Sequence, residues 1–422
     1  MMKNMRTRLG LFLAVMGPGV VTAFADNDAG GIATYAAAGA TYGYDLLFTL
    51  LISTVCLAIA QEISARTGAV TGRGLSDLIR ESFGVKWTFF AMIVLLIANI
   101  GTTASEFSGI ATSFEMFGVN KIIAVPIMAF VVWWSVLKGN YSRIEKVFFV
   151  LCATFLSYII SGLITNPPWE EVILASVTPT FHSDADFLMM AIGLIGTTIT
   201  PWGQFYVQAA VVDKGITAKD YKYTFWDVML GAFFTWLIAF FVVVATAATL
   251  NANNIQIETV KDAAIALAPL AGNYASMLFS FGLLGASMLA AFILPLSSAY
   301  AICEAFGFES GVSKKPKEAP VFFGVYTVII LLGAAIALWP GISLTAVMLA
   351  SQVVNGVLLP PILIFMVLIA SNESIMGKYK NSKWYNVVAW AFTIILIFLT
   401  LMLLISTIAP ALMSSFINLI GL

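Results

Sequence analysis

Long apolar stretches recur along the whole chain and decide what it can fold into. Of its 422 residues 60% are hydrophobic and only 10% are charged, whereas a soluble domain carries about a quarter charged residues. Windows of about 20 apolar residues predict eleven membrane-spanning helices. These spans, numbered 1 to 11, are 9–38, 45–64, 87–117, 121–137, 145–165, 186–212, 226–250, 273–306, 320–339, 342–370 and 386–409. We therefore expect an all-α polytopic membrane protein.

The positions of lysine and arginine support the count of eleven spans. With the N-terminus in the cytoplasm, all but two of the 21 basic residues fall on the cytoplasmic side. Only Lys121 and Lys261 fall outside, as the positive-inside rule requires. One missed or invented span would place every later loop on the wrong side. We expect the cytoplasmic (inner) membrane of a prokaryote, with the C-terminus outside.

Span 1 contains two aspartates, Asp26 and Asp28, in the run Ala25-Asp26-Asn27-Asp28-Ala29-Gly30-Gly31. A carboxylate near the centre of a membrane costs at least about 2.5 kcal/mol, and such a residue usually faces protein or water and has a function. The two glycines and the short polar residues favour an interruption of the helix. A broken helix around a buried carboxylate is typical of a cation site in a transporter.

Span 6 contains a second candidate interruption, in the stretch 193–204. Pro201 removes a backbone donor, and the glycines and threonines around it favour a break. Spans 1 and 6 enter the membrane from opposite sides, five spans apart, as in an inverted repeat. We expect one transmembrane domain, with a first repeat in 9–165, a second in 186–370, and span 11 (386–409) outside both. For span 6 alone, a proline kink in an ordinary helix is the alternative.

Several motifs resemble those of the Nramp family of divalent metal transporters, in the same order and in the corresponding spans. They are Gly17-Pro18-Gly19, Ala33-Thr34, the stretch 61–75, Glu106 and Gln352. The resemblance covers most of the chain. It implies a LeuT-type fold of 11 transmembrane helices, built as a 5+5 inverted repeat with broken helices 1 and 6. It also implies alternating access around the point where those helices meet.

The chain departs from that family at two motifs. Asp28-Ala29-Gly30-Gly31 stands where the family has Asp-Pro-Gly-Asn, and Thr200-Pro201-Trp202 stands where it has Met-Pro-His. This combination resembles the Nramp-related magnesium transporters. A thioether favours transition metals, whereas oxygen ligands suit Mg²⁺ and rarely exclude Mn²⁺. We expect Mg²⁺ and Mn²⁺ as transported substrates and no cofactor.

The resemblance to the Nramp-related magnesium transporters implies a set of metal ligands. Asp28 supplies the main charge, and Gln352 contacts the ion or its waters. The carbonyls of Ala25 and Thr197 and the hydroxyl or a neighbouring carbonyl of Thr200 are further candidates. Gly31 and Thr200, smaller than the residues that they replace, are expected to widen the site for a partly hydrated ion.

Asp26 has three possible roles in this sequence. It coordinates the ion directly, lines the aqueous vestibule, or accepts bonds from backbone amides at the break. On a regular helix Asp26 and Asp28 point in different directions, so only an unwound backbone brings both to one ion. Three other acids, Glu62, Glu115 and Glu304, fall near span ends, where we expect water or a basic loop to reach them.

The resemblance implies a proton relay made of a histidine on helix 6, an acidic pair on helix 3 and basic residues on helix 9, and this chain lacks most of it. Trp202 replaces the histidine, Thr103 replaces one acid of the helix 3 pair, and Glu106 is the acid that remains. From Glu318 through Gly377 there is no Lys, Arg or His. We expect uptake to be driven by the membrane potential without proton coupling. Glu106 either still titrates or bonds to span 1 or 6 as a structural acid, and we favour the structural role.

Other classes of protein fit the sequence less well. A proton-coupled Mn²⁺/Fe²⁺ Nramp transporter is the main alternative, and an amino-acid permease of the same fold is a second. An enzyme is not expected, because the sequence has no nucleophile–base pattern, metal-ligand cluster or phosphate loop. We expect a monomer whose partners are the metal ion and the lipid bilayer, with no nucleic acid. Cys56, Cys152 and Cys303 are expected to be buried free thiols.

Overall fold

The computed structural model describes residues 17–138, 154, 156–182, 184–255 and 257–408. Among these residues the secondary structure is helical, with no strand. The beginning of span 1 and about half of span 5 (145–153 and 155) lie outside the described residues. The same is true of the basic residues Lys3, Arg6, Arg8, Arg143 and Lys146 and of Cys152. The two other cysteines, Cys56 and Cys303, are buried free thiols as predicted.

Fifteen α-helices of nine or more residues define the architecture of the described residues. They are α1 (Pro18–Asp26), α2 (Ala29–Tyr42), α3 (Leu47–Thr71), α4 (Leu75–Phe83), α5 (Val85–Met116), α6 (Lys121–Leu137), α7 (Leu156–Ile164), α8 (Trp169–Val177), α9 (Ala185–Thr198), α10 (Pro201–Asp213), α11 (Tyr221–Thr249), α12 (Ala275–Phe306), α13 (Pro320–Leu338), α14 (Leu344–Ser371) and α15 (Lys383–Ile408).

The predicted spans correspond to these helices. By length and composition, eight helical segments of the described residues could cross a membrane, and they match spans 2, 3 and 6 to 11. The shorter apolar helix α6 matches span 4, and the pair α1–α2 matches the described part of span 1. The protein is thus an all-α membrane protein, as the apolar windows predict.

Span 2 is longer than predicted. We placed its end at residue 64, before the charge of Arg66, but α3 continues to Thr71. The helix continues because Arg66 does not enter water: it pairs with Glu62 one turn earlier, over 2.7 Å between Nε and Oε1. The charged end of this helix is therefore packed inside the protein. The short helices α4 and α8 also lie in segments where the sequence predicts loops.

Two ion pairs join residues that the sequence predicts on the same side of the membrane. His182 Nε2 lies 3.0 Å from Asp45 Oδ2, and Lys261 Nζ lies 3.0 Å from Glu115 Oε2. All four residues are predicted to lie on the outer side. The orientation of the chain in a membrane stays a prediction.

Helices α1, α2 and α5 occupy the centre of the fold. α11 packs against α1, α2 and α3, while α5 packs against α12, α13 and α14. α9 packs against α14, and α10 packs against α3. These contacts bring the ends of α1, α2, α9 and α10 together in the interior, where the two predicted interruptions lie.

Candidate cation site

The helix of span 1 breaks at the two residues between α1 and α2. α1 ends at Asp26, Asn27 has φ −87° and ψ 48°, and Asp28 is extended with φ −73° and ψ −176°. Asp28 caps the next helix, because its Oδ1 accepts a hydrogen bond from the Gly31 amide over 2.6 Å. A short acidic side chain at this position satisfies an amide of the first turn that has no helical acceptor. The predicted interruption of span 1 is confirmed.

The helix of span 6 breaks at Ile199 and Thr200. Both residues leave the helical conformation, and α10 begins at Pro201. Proline suits the first position of a helix, because its fixed φ is helical and its missing N–H has no partner there anyway. This interruption is also confirmed, and it separates α9 from α10 rather than bending one helix.

Oxygen atoms converge where the two breaks meet. A β-carbon at Gly31 would lie 2.9 Å from the Asp26 carbonyl oxygen, 2.9 Å from Thr197 Oγ1 and 3.2 Å from Asp28 Oδ1. Ala25 and Thr197 lie in the last turns of α1 and α9, where carbonyls lack helical partners and the helix dipole is negative. In this structure three oxygens border the place that a side chain at position 31 would occupy.

Asp26 is buried beside the second break. Its Oδ1 accepts a hydrogen bond from Thr200 Oγ1 over 3.1 Å, and its Oδ2 accepts one from Gln61 Nε2 over 3.3 Å. With an exposed fraction of 1%, Asp26 does not line an aqueous vestibule in this conformation. Side chains of α3 and of the α9–α10 break hold it, rather than the backbone amides that we considered.

Gln352 on α14 reaches the start of α2. A β-carbon at Gly30 would overlap its side-chain amide and would lie 2.8 Å from Ser105 Oγ. Gln352 Oε1 accepts a hydrogen bond from Asn355 Nδ2 over 3.0 Å. The structure thus places Gln352 within contact distance of the turn that follows Asp28.

Glu106 on α5 is fully buried next to Asp28. Its Oε2 accepts a hydrogen bond from the Ala29 amide over 3.3 Å. The carboxylates of Asp28 and Glu106 therefore both accept hydrogen bonds from backbone amides in the first turn of α2. The role of Glu106 in transport stays a prediction.

Two altered relay positions are packed into the interior. Trp202 is fully buried, and its carbonyl accepts a hydrogen bond from Ser297 Oγ over 3.1 Å. Thr103 is also fully buried against α13: a β-carbon at Gly333 would lie only 2.6 Å from Thr103 Cγ2. α5 and α13 therefore approach each other closely at these two residues, and Thr103 Oγ1 has no hydrogen-bond partner among the described residues.

Buried polar atoms without a hydrogen-bond partner cluster at the breaks. Among the described residues they include Asn27 Oδ1, Asp28 Oδ2, Gln61 Oε1, Thr197 Oγ1, Glu106 Oε1 and Gln352 Nε2. Five of these six atoms are oxygens, while the unpaired Nε1 of Trp202 and Nε2 of Gln204 lie in α10. Buried polar atoms normally have partners, so the oxygens indicate a place for a cation or its waters. The sequence does not predict Asn27 and Gln61 as ligands, although Asn27 lies in the run 25–31 and Gln61 opens the stretch 61–75.

A cavity of about 460 Å³ leads toward the breaks from between α2, α9 and α14. Its lining includes Thr34, Gly193 and Val353. A β-carbon at Gly193 would lie 3.3 Å from Val353 Cγ2 and 3.8 Å from Thr34 Cγ2. These three residues therefore pack closely where α2, α9 and α14 meet.

Known proteins resemble this chain along nearly its whole length. The family described as natural resistance-associated macrophage protein-like matches residues 19–406. The divalent metal cation transporter MntH of Bacillus subtilis is 24% identical over 406 residues, which are 94% of this chain and 92% of the relative. The MntH of Staphylococcus haemolyticus is 27% identical over 416 residues, again 94% and 92% of the two chains.

Solved structures agree with the sequence comparison. A mutant of the Eremococcus coleocola manganese transporter has a TM-score of 0.76 at 20% identity, covering 97% of this chain and 92% of that one. MhsT in complex with L-phenylalanine has a TM-score of 0.60 at 15% identity, with 94% and 98% covered. The fold is the LeuT-type fold, with broken helices in spans 1 and 6. The chain belongs to the Nramp family.

Proposed function

We propose that this protein takes up Mg²⁺ and Mn²⁺ as partly hydrated ions, by alternating access around the two helix breaks. Its relatives are named as divalent metal cation or manganese transporters, which supports a divalent ion as substrate. The observation that carries the choice of Mg²⁺ is Thr200. Its hydroxyl bonds to Asp26 at the α9–α10 break, where the family's motif has a methionine.

The donor chemistry of the site fits a hard cation. We infer that Asp28 supplies the charge and that the Ala25 and Thr197 carbonyls are further ligands. The Gln352 side-chain oxygen joins them once it leaves Asn355, and none of these ligands is sulfur. The described residues contain no group of three or more His, Cys, Asp or Glu side chains placed to hold a metal. A site with few carboxylates suits Mg²⁺, which is usually bound through one or two of them and keeps several waters.

The cavity between α2, α9 and α14 has about 460 Å³, which is room for several waters. Three oxygens lie within 3.2 Å of the β-carbon position of Gly31, so a partly hydrated ion needs more room there than this conformation offers. We infer that the two breaks separate when the ion binds.

Uptake needs no second driving ion. A membrane potential contributes about 2.3 kcal/mol per charge per 100 mV, so a divalent cation gains about 4.6 kcal/mol, or about three decades of concentration. Trp202 in place of the histidine and the close packing of Thr103 on Gly333 support an uncoupled mechanism. The bond from the Ala29 amide to Glu106 supports a structural role for that acid.

Two alternatives make different demands on the site. A proton-coupled Mn²⁺/Fe²⁺ transporter would require Glu106 to exchange protons during transport. An amino-acid permease of this fold would bind a substrate carboxylate at the helix ends, where Asp28 here occupies the amide of Gly31. The carboxylate at that position favours a cation over an amino acid.

The remaining parts of the proposal concern architecture. We place the first inverted repeat in 9–165 and the second in 186–370, with 386–409 as an added helix. The chain acts as a monomer, with its N-terminus in the cytoplasm and its C-terminus outside. Labelling of single cysteines introduced near Lys261 and Lys315, with a thiol reagent that does not cross the membrane, tests this orientation.

Reconstituted proteoliposomes test the proposed transport. They carry a Mg²⁺-sensitive dye and a pH dye, and Mg²⁺ is added under an inside-negative potential. The proposal predicts saturable Mg²⁺ entry that Mn²⁺ inhibits, without a change of internal pH. Entry of Mn²⁺ with protons, and none of Mg²⁺, would instead establish the proton-coupled alternative.

A further inference from the structure

Asp26 has surroundings that differ from those of Asp28. Asp28 caps α2, so the amide of Gly31 partly compensates its charge. Asp26 is the last residue of α1, and the C-terminal end of a helix carries negative partial charge and unpaired carbonyls. A carboxylate at that end makes the negative potential stronger. A cation bound at Asp26 would therefore offset both the carboxylate and the negative end of α1.

Two buried amide side chains next to Asp26 each hold an oxygen without a partner. Gln61 donates through Nε2 to Asp26, and its Oε1 is unpaired among the described residues; the side chain is fully buried. Asn27 donates through Nδ2 to the Ala23 carbonyl over 3.0 Å, and its Oδ1 is likewise unpaired, with 2% of the residue exposed. A rotation of the Gln61 amide would turn its oxygen toward a cation at Asp26.

We propose that Asp26, Thr200, Gln61 and Asn27 form a second cation station, which receives the ion after the Asp28 site. The inference rests on the proposed function in that it takes the substrate to be a divalent cation. All the donors of this station are oxygens, so it also suits Mg²⁺ and Mn²⁺. It lies on the α1 side of the break, away from the approach cavity, whose lining comes from α2, α9 and α14.

The two stations hold one ion in turn. The α-carbons of Asp26 and Asp28 are two residues apart, within about 7.6 Å of each other. Two divalent cations so close together in the protein interior repel each other strongly. An ion that moves to Asp26 therefore leaves Asp28.

Occupation of the second station changes contacts between helices. At present Asp26 joins α1 to Gln61 on α3 and to Thr200 at the start of α10. A cation at Asp26 takes over the carboxylate oxygens, so both hydrogen bonds are replaced by bonds to the ion. Arrival of the ion thereby loosens the contacts that close this side of the site.

Titration of the purified full-length protein with Mn²⁺ tests the second station. The electron paramagnetic resonance signal of free Mn²⁺ reports how much metal is bound. In Asp28→Asn we expect Mn²⁺ affinity to fall by about 10–100-fold but to remain measurable. Adding Asp26→Asn to that variant is expected to remove the residual binding.

A change at Gln61 separates ligation from a structural role. Combined with Asp28→Asn, Gln61→Glu adds a charged oxygen ligand and is expected to tighten the residual binding about tenfold. Gln61→Met, of similar length and without oxygen, is expected to weaken it. A merely structural Gln61–Asp26 bond would be disturbed by both changes, so neither would tighten binding.

Two results would overturn the second station. One is residual Mn²⁺ binding in Asp28→Asn that Asp26→Asn leaves unchanged. The other is complete loss of binding in Asp28→Asn that Gln61→Glu does not restore, in protein that still elutes as a single species. Neither depends on Mg²⁺ transport or on coupling, so failure of the station is distinguishable from failure of the proposed function.

Discussion

Arg66 Nε donates a hydrogen bond to Glu62 Oε1 over 2.7 Å, and both side chains are more than nine-tenths buried. Tyr385 donates to the same carboxylate over 2.6 Å, and Tyr221 donates to it as well. Arg66 Nη2 donates to Asn381 Oδ1 over 2.5 Å. The pair thus connects α3 with α11, with α15 and with the segment that precedes α15. Water or a basic loop does not reach Glu62, contrary to our expectation from its place near a span end.

The Glu62–Arg66 pair is expected to dominate stability at this end of α3. Glu62→Gln leaves a buried guanidinium without its counter-charge, which costs about 3–5 kcal/mol. Thermal unfolding of the purified protein measures the loss. The matched control is Glu81→Gln, because Glu81 pairs with Arg73 in water and an exposed pair is worth about 0–1 kcal/mol. Equal melting temperatures for the two variants would contradict the assignment.

Asp28 is expected to be essential for uptake of both Mg²⁺ and Mn²⁺. Changes to groups that only hold a metal ligand cost about 10–100-fold in affinity, so Asp28→Asn is expected to cost at least as much. The amide oxygen still accepts from Gly31, so the cap and the fold are retained. Asp45→Asn, which alters an exposed acid beside His182, serves as the control in the liposome assay. Normal uptake by Asp28→Asn would exclude the proposed site.

Thr200 is expected to set the preference between hard and soft ions. Thr200→Met introduces a thioether beside Asp26, so Cd²⁺ is expected to inhibit uptake of Mn²⁺ at about tenfold lower concentration, while Mg²⁺ uptake falls. Thr200→Leu has a similar volume and no sulfur, and it controls for loss of the bond to Asp26. If Leu and Met change Cd²⁺ inhibition equally, the effect is one of size and not of sulfur.

Removal of the Glu106 charge is expected to leave potential-driven Mg²⁺ entry nearly unchanged. Glu106→Gln keeps an oxygen that accepts from the Ala29 amide, so potential-driven Mg²⁺ entry is expected to change less than about threefold, within the worth of one buried hydrogen bond. The internal pH should stay constant in the wild type and in the variant. Acidification that follows Mg²⁺ entry in the wild type and disappears in Glu106→Gln would assign proton coupling to this acid.

Restoring the family's asparagine at position 31 is expected to abolish transport. In Gly31→Asn the β-carbon would lie 2.9 Å from the Asp26 carbonyl oxygen and from Thr197 Oγ1, so the breaks must separate to accommodate it. Gly31→Ala is expected to fail as well, which distinguishes crowding from ligand chemistry. Gly324→Ala on α13 meets no atom within 4 Å and should transport normally. Uptake by Gly31→Asn at the wild-type rate would refute this account.

The sequence was most informative where local signals are strong. The apolar windows predict the helices, and Asp28, Gly31 and Pro201 predict both interruptions, because capping and proline geometry act within a few residues. The contacts that complete the site depend on distant segments. Gln61 reaches Asp26 and Ser105 reaches Gly30 only after α3 and α5 have packed, so no local pattern contains them. The end of α3 was misplaced for the same reason: the partners of Arg66 lie on helices far along the chain.

The close contact between Thr103 and Gly333 limits which substitutions this part of the fold can accept. Even a methyl group at Gly333 would collide with Thr103. A side chain at Gly333 would therefore first have to push α5 and α13 apart. Substitutions at the two breaks can therefore change the preferred ion more easily than substitutions at Gly333 can change the interface between α5 and α13.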